Sequence, residues 1–336
     1  MDEPPIIEVR NLKVYFPVRK GFFGRKQYVK AVDGVDLVIG RRGIVTLIGE
    51  SGCGKTTLGK TIAGLIKPTA GKILYKGRDV LTLKGREYNE YRRNIQIVHQ
   101  DPFSSLNPTK TVFQTLSAAL RRWGIARTRR ELLEKSSELL EMVGLTPPED
   151  FLFKYPHQLS GGQRQRVVIA RAISVHPELI VADEPITMID VSLRIDILDL
   201  LLDLQRKIGT AYLFITHDFG AARYFAAKGG GIIAVMYLGN IIEMGPAEEV
   251  IQRPLHPYTK VLMSAVPVPD PELSRKRKPL QLRSLDIPSP MNPPSGCKFH
   301  TRCPYYFDPC DKEIPRLVEV RPNHWVACHL YTRERK

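Results

Sequence analysis

The chain has 336 residues, 43% of them hydrophobic and 25% charged, with 50 Lys and Arg against 35 Asp and Glu for a net charge of +15. That is long enough for a full hydrophobic core in two domains or one elaborated one, with a globular rather than disordered or fibrous composition. No stretch approaches the ~18 uninterrupted apolar residues of a membrane-spanning helix.

The acidic start, Met1-Asp2-Glu3-Pro4-Pro5, has no signal-peptide apolar core, so the chain is expected to stay in the cytoplasm and not to span a membrane. Bases cluster at Arg121-Arg122, Arg127, Arg129-Arg130 and Arg275-Lys276-Arg277-Lys278. Such clusters suit solvated surface, an anionic membrane face or nucleic acid. The aromatic-interleaved basic motif of an RNA-binding module is missing, so solvated surface ranks first and no nucleic-acid partner is expected.

Residues 6 to 48 read as β-rich, with strands at Ile6 to Val9, Leu37 to Ile39 and Ile44 to Ile48. Between the first two, Val18 to Lys30 reads as a basic loop carrying Phe22, Phe23 and Tyr28, with Tyr15-Phe16 just before it. The run Gly43 to Ile48 is short, β-branched and apolar, as in a buried parallel strand. It leads into Gly49-Glu50-Ser51-Gly52-Cys53-Gly54-Lys55-Thr56, which fits the phosphate-cradling pattern G-x-x-x-x-G-K-[ST]. Its glycines let backbone wrap a phosphate, and the following helix start favours anions. Lys55 would reach the β- and γ-phosphates and the Thr56 hydroxyl would ligate Mg²⁺. Gly49, Ser51, Gly52, Gly54 and Thr57 complete the expected nucleotide contacts, with Cys53 filling a place that demands a small residue. A base needs a flat partner, and Phe16 is the preferred ring, with Tyr28 next.

After the loop, Leu58, Ile62 and Leu65 mark one face of a helix ending near Lys67-Pro68. Ile95 to His99 reads as a strand that runs into Gln100-Asp101-Pro102. From Thr111 to about Gly144 the pattern is helical, Leu132, Leu139 and Val143 sharing a face, which places a helical insert at about 103–158. Leu159-Ser160-Gly161-Gly162-Gln163-Arg164-Gln165-Arg166 then offers Ser160 as an N-cap and two glycines free to approach an anion. The apolar strand Leu179 to Ala182 ends in Asp183 and Glu184. Asp183 would hold Mg²⁺ through water, and Glu184 could polarise the attacking water as general base. A helical repeat at Leu193, Ile197, Leu200, Leu201 and Leu204 separates this strand from Ala211 to Ile215, and Ile232 to Val235 follows. His217 stands at the carboxyl end of the strand before it, the edge where ligands bind in α/β folds. The core is therefore expected to be α/β with a largely parallel sheet. After Gly245 the composition shifts, and a proline-rich, basic stretch at 267–296 reads as an extended linker before a cysteine-bearing tail.

The loop at 49–56, Gln100, the LSGGQRQR run at 159–166, VADEP at 181–185 and ITHD at 215–218 come in the order of an ABC-transporter ATPase subunit, which the chain resembles over roughly residues 6 to 250. The resemblance implies a RecA-like P-loop core with a β-rich N-terminal subdomain and a helical insert. It also implies a dimer in which each ATP lies between one subunit's phosphate loop and the other's Ser160, Gly161, Gly162 and Gln163. Gln100 would sense Mg²⁺ and the membrane partner, and His217 would touch the γ-phosphate. Asp190 matches the aspartate of the dimer-crossing loop. Where that loop usually reads EPTSALD, this chain has Glu184-Pro185-Ile186-Thr187-Met188-Ile189-Asp190, with Ile186 and Met188 bulkier and more apolar than the pattern.

The tail narrows the resemblance. His256-Pro257-Tyr258-Thr259 and the run around Cys297 and Cys303 are similar to the C-terminal part of oligopeptide/dipeptide-importer ATPases. The division implied is a cassette at 1–250 and an extension at 251–336. The partners implied are a second ATPase, expected to be a paralogue, two transmembrane permeases and an extracytoplasmic substrate-binding protein. The chain itself would sit peripherally on the cytoplasmic side of the membrane. Cys297, Cys303, Cys310 and Cys328 are spaced C-x5-C-x6-C-x17-C, without the C-x(2–4)-C pair usual for zinc. A [4Fe–4S] cluster on the segment 297–328 is the first expectation, zinc and free thiols being the alternatives. The carried substrate is read as di- or oligopeptide. Oligosaccharide, or a soluble ATPase acting on ribosomes or nucleic acid, is the other reading.

Overall fold

A computed structural model describes residues 3–19, 26–264 and 280–332. Phe22, Phe23 and the basic run at 275–278 lie outside the described residues.

The N-terminal region forms two long strands rather than short ones flanking a loop. β1 (Ile7–Arg19) pairs antiparallel with β2 (Lys26–Ile39), from Ile7 opposite Ile39 to Arg19 opposite Lys26. Val18 and Arg19, and Lys26 to Lys30, of the segment expected to be a basic loop belong to the two strands. Register shifts after Val9, Leu12 and Val14 break the two-residue alternation, which is why the pattern concealed these strands. Ile7, Leu12, Val32 and Ile39 are wholly buried beneath the hairpin.

β3 (Ile44–Ile48) leads into α1 (Lys55–Ile62). Leu58 and Ile62 are buried as expected, but the helix stops before Gly64 and leaves Leu65 44% exposed. β4 (Ala70–Tyr75) and β5 (Arg78–Asp79) complete a four-stranded antiparallel sheet ordered β2-β1-β4-β5. α2 (Gly85–Asn94) and β6 (Ile95–Val98) return the chain to the second sheet. The insert is then α3 (Pro102–Ser105), α4 (Val112–Arg122), α5 (Arg129–Met142) and α6 (Glu149–Leu152). The helical stretch expected over 111–144 is therefore two helices. Each begins with its own capping box, Thr111 with Gln114 and Thr128 with Glu131. Leu132 and Val143 are fully buried and Leu139 nearly so, the face that the sequence marked.

The remaining elements alternate: α7 (Gly161–Ile173), β7 (Leu179–Asp183), α8 (Val191–Ile208), β8 (Ala211–Thr216), α9 (Phe219–Lys228), β9 (Ile232–Tyr237) and β10 (Asn240–Pro246). They are followed by α10 (Ala247–Gln252), α11 (Pro257–Ser264), β11 (Val318–Arg321) and β12 (His324–Val326). The second sheet has the order β11-β12-β10-β9-β3-β8-β7-β6. Its run from β9 to β6 is parallel, and β3, β7 and β8 are buried at every residue, as strands covered on both faces must be.

The tail continues this sheet, β12 pairing with β10 at Trp325–Met244 and Val326–Glu243. Glu243 is fully buried, and its carboxylate accepts from the amides of Leu255 and His256 and meets His324 Nε2, all at 2.8 Å. Three donors compensate a charge that would otherwise be costly there. His256 is also buried, its Nδ1 accepts from the Tyr258 amide at 3.0 Å, and burial lowers its pKa from 6.5 to about 4. Between about pH 6.5 and 4 the unfolded chain binds a proton that the native His256 refuses. Stability should therefore fall as pH drops through that window, by about 3 kcal/mol at its acid end. Thermal melts of the parent and of His256→Asn, which keeps an acceptor but cannot titrate, should diverge at pH 4.5 and converge at pH 7.5. Parallel profiles would show that His256 does not govern the acid limb.

Candidate active site

β3 delivers the phosphate loop to the centre of the sheet, and the loop's glycines are there for two distinct reasons. At Gly54 (φ 109°) a Cβ would lie 2.0 Å from the Ala31 carbonyl oxygen, so no side chain fits. At Gly52 (φ 77°) there is open space, and it is the backbone conformation that excludes other residues. α1 starts directly from the loop, Leu58 N donating to Gly54 O at 2.9 Å. Lys55 folds back over the loop and donates to Gly49 O at 2.8 Å and Glu50 O at 3.0 Å. The Cys53 thiol is buried, with its pKa raised by that burial, which makes it a neutral filler as its position suggested.

The two acids occupy unlike environments. Asp183 is 3% exposed, accepts from Thr56 Oγ1 at 2.9 Å, and has its pKa raised by burial despite that bond and the nearby Lys60. A hydroxyl and a carboxylate in this contact are the hard oxygen pair that Mg²⁺ takes, and the cation would supply the charge that Asp183 lacks. Glu184 sits in the left-handed region at φ 49°, a strained conformation of the kind concentrated at functional sites. Its Oε2 accepts from Gln100 Nε2 at 3.2 Å and Thr187 Oγ1 at 3.0 Å, and its Oε1 lies 3.0 Å from His217 Nδ1. Three side chains from separate segments thus aim one carboxylate.

These groups share one cavity of about 510 Å³, within the size range of small-molecule sites. Ser51, Gly52, Gly54, Lys55, Thr56 and Thr57 line its floor, with Gln100, Glu184 and His217 on one side. Asp183 lies in a neighbouring cleft that Thr56 and Gln100 also line. Phe16 and Val29, paired across the hairpin, form the far end beside Ala31 and Pro290. Tyr28, the second-ranked ring, does not line the cavity. Sequence reasoning missed Thr187, which bonds Glu184, and the cavity residues Val29, Ala31 and Pro290. Thr187 falls in a loop read only for its departure from a pattern. Pro290 arrives from the proline-rich stretch, pinned by Lys30 N donating to its carbonyl at 3.2 Å.

Ser160, Gly161, Gly162, Gln163 and Asp190 are not brought to this cavity within the chain. Ser160 caps α7 as expected, in a reciprocal box with Gln163. Gly161 faces the Met188 carbonyl and Gly162 faces Leu193, so these residues form a separate surface beside the 186–190 loop. In that loop Ile186 is buried and Met188 is 52% exposed.

Cys297, Cys303, Cys310 and Cys328 all line a second, small cavity. Burial, with the other thiols' charges, pushes Cys297 up to about 11 and Cys328 up to about 12. Among the described residues no group of three or more His, Cys, Asp or Glu is arranged to hold a metal ion, so the expected cluster has no preformed metal-ion geometry.

The phosphate loop, the unlike acids at the end of β7 and the helical insert ahead of a glycine-rich helix start define an ATP-binding cassette. Residues 32–187 match the ABC transporter family model, and residues 242–310 match the oligopeptide/dipeptide transporter C-terminal region. The chain is 46% identical to the oligopeptide transport ATP-binding protein AppF of Bacillus subtilis, over 98% of this chain and 99% of that one. It is 41% identical to OppF of Salmonella typhimurium, over 96% and 95% of the two chains. Among solved structures, the ATP-binding cassette MJ0796 bound to ADP and Pi is 28% identical with a TM-score of 0.61, covering 72% of this chain and 98% of that one. The chain therefore belongs to the ABC transporter ATPases of the oligopeptide/dipeptide branch, and it is an ATPase.

Proposed function

We propose that the chain hydrolyses ATP to drive import of short peptides by a binding-protein-dependent transporter, docked peripherally on the cytoplasmic face of the membrane. The observation that carries the hydrolysis is Glu184, aimed by Gln100, Thr187 and His217 beside the phosphate loop. Peptide as cargo is supported by the full-length likeness to oligopeptide transport ATP-binding proteins and by the matching tail. No helix among the described residues is long and apolar enough to cross a membrane, so separate permease chains would form the pathway.

Glu184 acts as general base toward the attacking water, and Lys55 stabilises charge on the transferring phosphoryl group. Thr56, Asp183 and Gln100 are the groups that would hold Mg²⁺, which neutralises charge on the phosphates when bound. Phe16 stacks on the base, with Pro290 closing the same end. Ser160, Gly161, Gly162 and Gln163 serve the partner subunit's ATP, with Asp190 at the crossing point. Their distance from this chain's own cavity supports that reading. The partner is a paralogue, as the resemblance to oligopeptide/dipeptide-importer ATPases implies.

The four cysteines hold a [4Fe–4S] cluster. Four thiols facing one cavity supply the donor set. Ligands around a cluster stand further apart than around one ion, because the cluster fills the middle. Purification without oxygen should return about four iron atoms per chain, together with two permeases and a second ATPase, and Cys328→Ser should abolish the iron. Absent iron would remove the cluster alone. Recovery with RNA and no permease would remove the importer.

A further inference from the structure

Two cations of the cysteine segment pack behind the nucleotide site, one on the phosphate loop and one on the turn beside it. Arg302, the residue before Cys303, is 5% exposed, and its Nη1 donates to both Glu50 carboxylate oxygens at 3.1 and 3.0 Å. Glu50 is the second residue of the phosphate loop, and its amide donates to the Tyr258 hydroxyl at 2.9 Å. Lys298, the residue after Cys297, donates to Leu238 O at 2.8 Å and to Asp33 Oδ2 at 3.0 Å. The next residue along, Gly239, donates its amide to Cys53 O at 2.9 Å. The loop is thus held at Glu50 directly by Arg302, and at Cys53 by the Gly239 amide, whose neighbour Leu238 is held by Lys298.

A loop with three glycines has wide backbone freedom to lose when phosphate binds. Holding it beforehand removes part of that loss and raises affinity without any new contact to the ligand. The Arg302–Glu50 pair is largely withdrawn from water, with side chains 6% and 23% exposed, unlike the weak pairs of open surface. Neither residue lines the nucleotide cavity, so neither acts by touching nucleotide.

We propose that Arg302 is a positioning residue for the phosphate loop, holding Glu50 and the loop backbone in the shape that receives nucleotide. The C-terminal cysteine segment is then a working part of the ATP site. This rests on the reading of residues 49–56 as the phosphate cradle.

The test titrates fluorescent MgATP and MgADP analogues against the full chain and its Arg302→Gln, Arg302→Lys, Glu50→Gln and doubly substituted (Arg302→Gln with Glu50→Gln) variants. Arg302→Gln and Glu50→Gln should each weaken binding by about tenfold, a magnitude usual for coupling between sites. The doubly substituted chain should be no weaker than either single one, because both remove the same contact. Arg302→Lys should recover most of the affinity. In the assembled complex the loss should fall on KM, with kcat at saturating ATP changed by less than about threefold. If Arg302→Gln does not fold, Glu50→Gln reads the contact alone. Unchanged affinity in Glu50→Gln, or a double loss equal to the product of the single ones, overturns the proposal. Lys55→Ala is the control: if it too binds as the parent does, the phosphate-loop assignment fails rather than the clamp.

Discussion

Replacing Glu184 by Gln is expected to lower steady-state ATP hydrolysis in the assembled complex by about 10²–10⁴-fold, the usual contribution of general-base catalysis. The substitution keeps size and shape, and one amide oxygen remains to accept from Gln100 and Thr187. MgATP affinity should therefore change little. Before substitution the carboxylate is held by three side chains and by a strained backbone, an arrangement with no evident packing purpose. Rates measured beside nucleotide affinity separate the outcomes. An unchanged rate would show that another group activates the water, and a parallel loss of binding would show that Glu184 serves the loop's structure.

Asp183→Asn should produce two effects of opposite sign. Burial raises the Asp183 pKa despite the Thr56 hydroxyl and the more distant Lys60 and Lys55, and among the described residues no cation lies within hydrogen-bond distance of it. The sign follows directly: a carboxyl with a raised native pKa burdens the fold increasingly as pH rises through its titration. The neutral amide should therefore melt higher than the parent at pH 7 without nucleotide. It should at the same time lower Mg²⁺-dependent hydrolysis by about 10²-fold or more, since one of the groups that would hold the cation loses its charge. Loss of activity with a lower melting temperature would show that Asp183 supports the fold rather than the cation.

The site was legible wherever a few residues at fixed spacing force one local geometry. The loop at 49–56, the acids ending β7 and the capped start of α7 each depend on backbone conformation within a short window, and all stand where the pattern placed them. The hairpin of β1 and β2 was hidden because its bulges disturb the alternation on which strand reading depends. The helix after the loop read too long because Leu65 kept the apolar spacing, although Gly64 had already ended the helix. Pro290, Tyr258 and Arg302 were out of reach for another reason. Tyr258 and Arg302 act on the loop, and Pro290 on β2 beside it, each from more than 200 residues away. Nothing in their own neighbourhoods records it.

The pairing of β12 with β10 bears on how the molecule is made. A ribosome releases this chain from its amino end, and the nucleotide loop emerges long before the strand that covers β10. Until residues 324–326 appear, β10 offers an open edge and Glu243 lacks its histidine partner. Left unpaired, that edge is open to strands of other chains, and β12 closes it within the molecule.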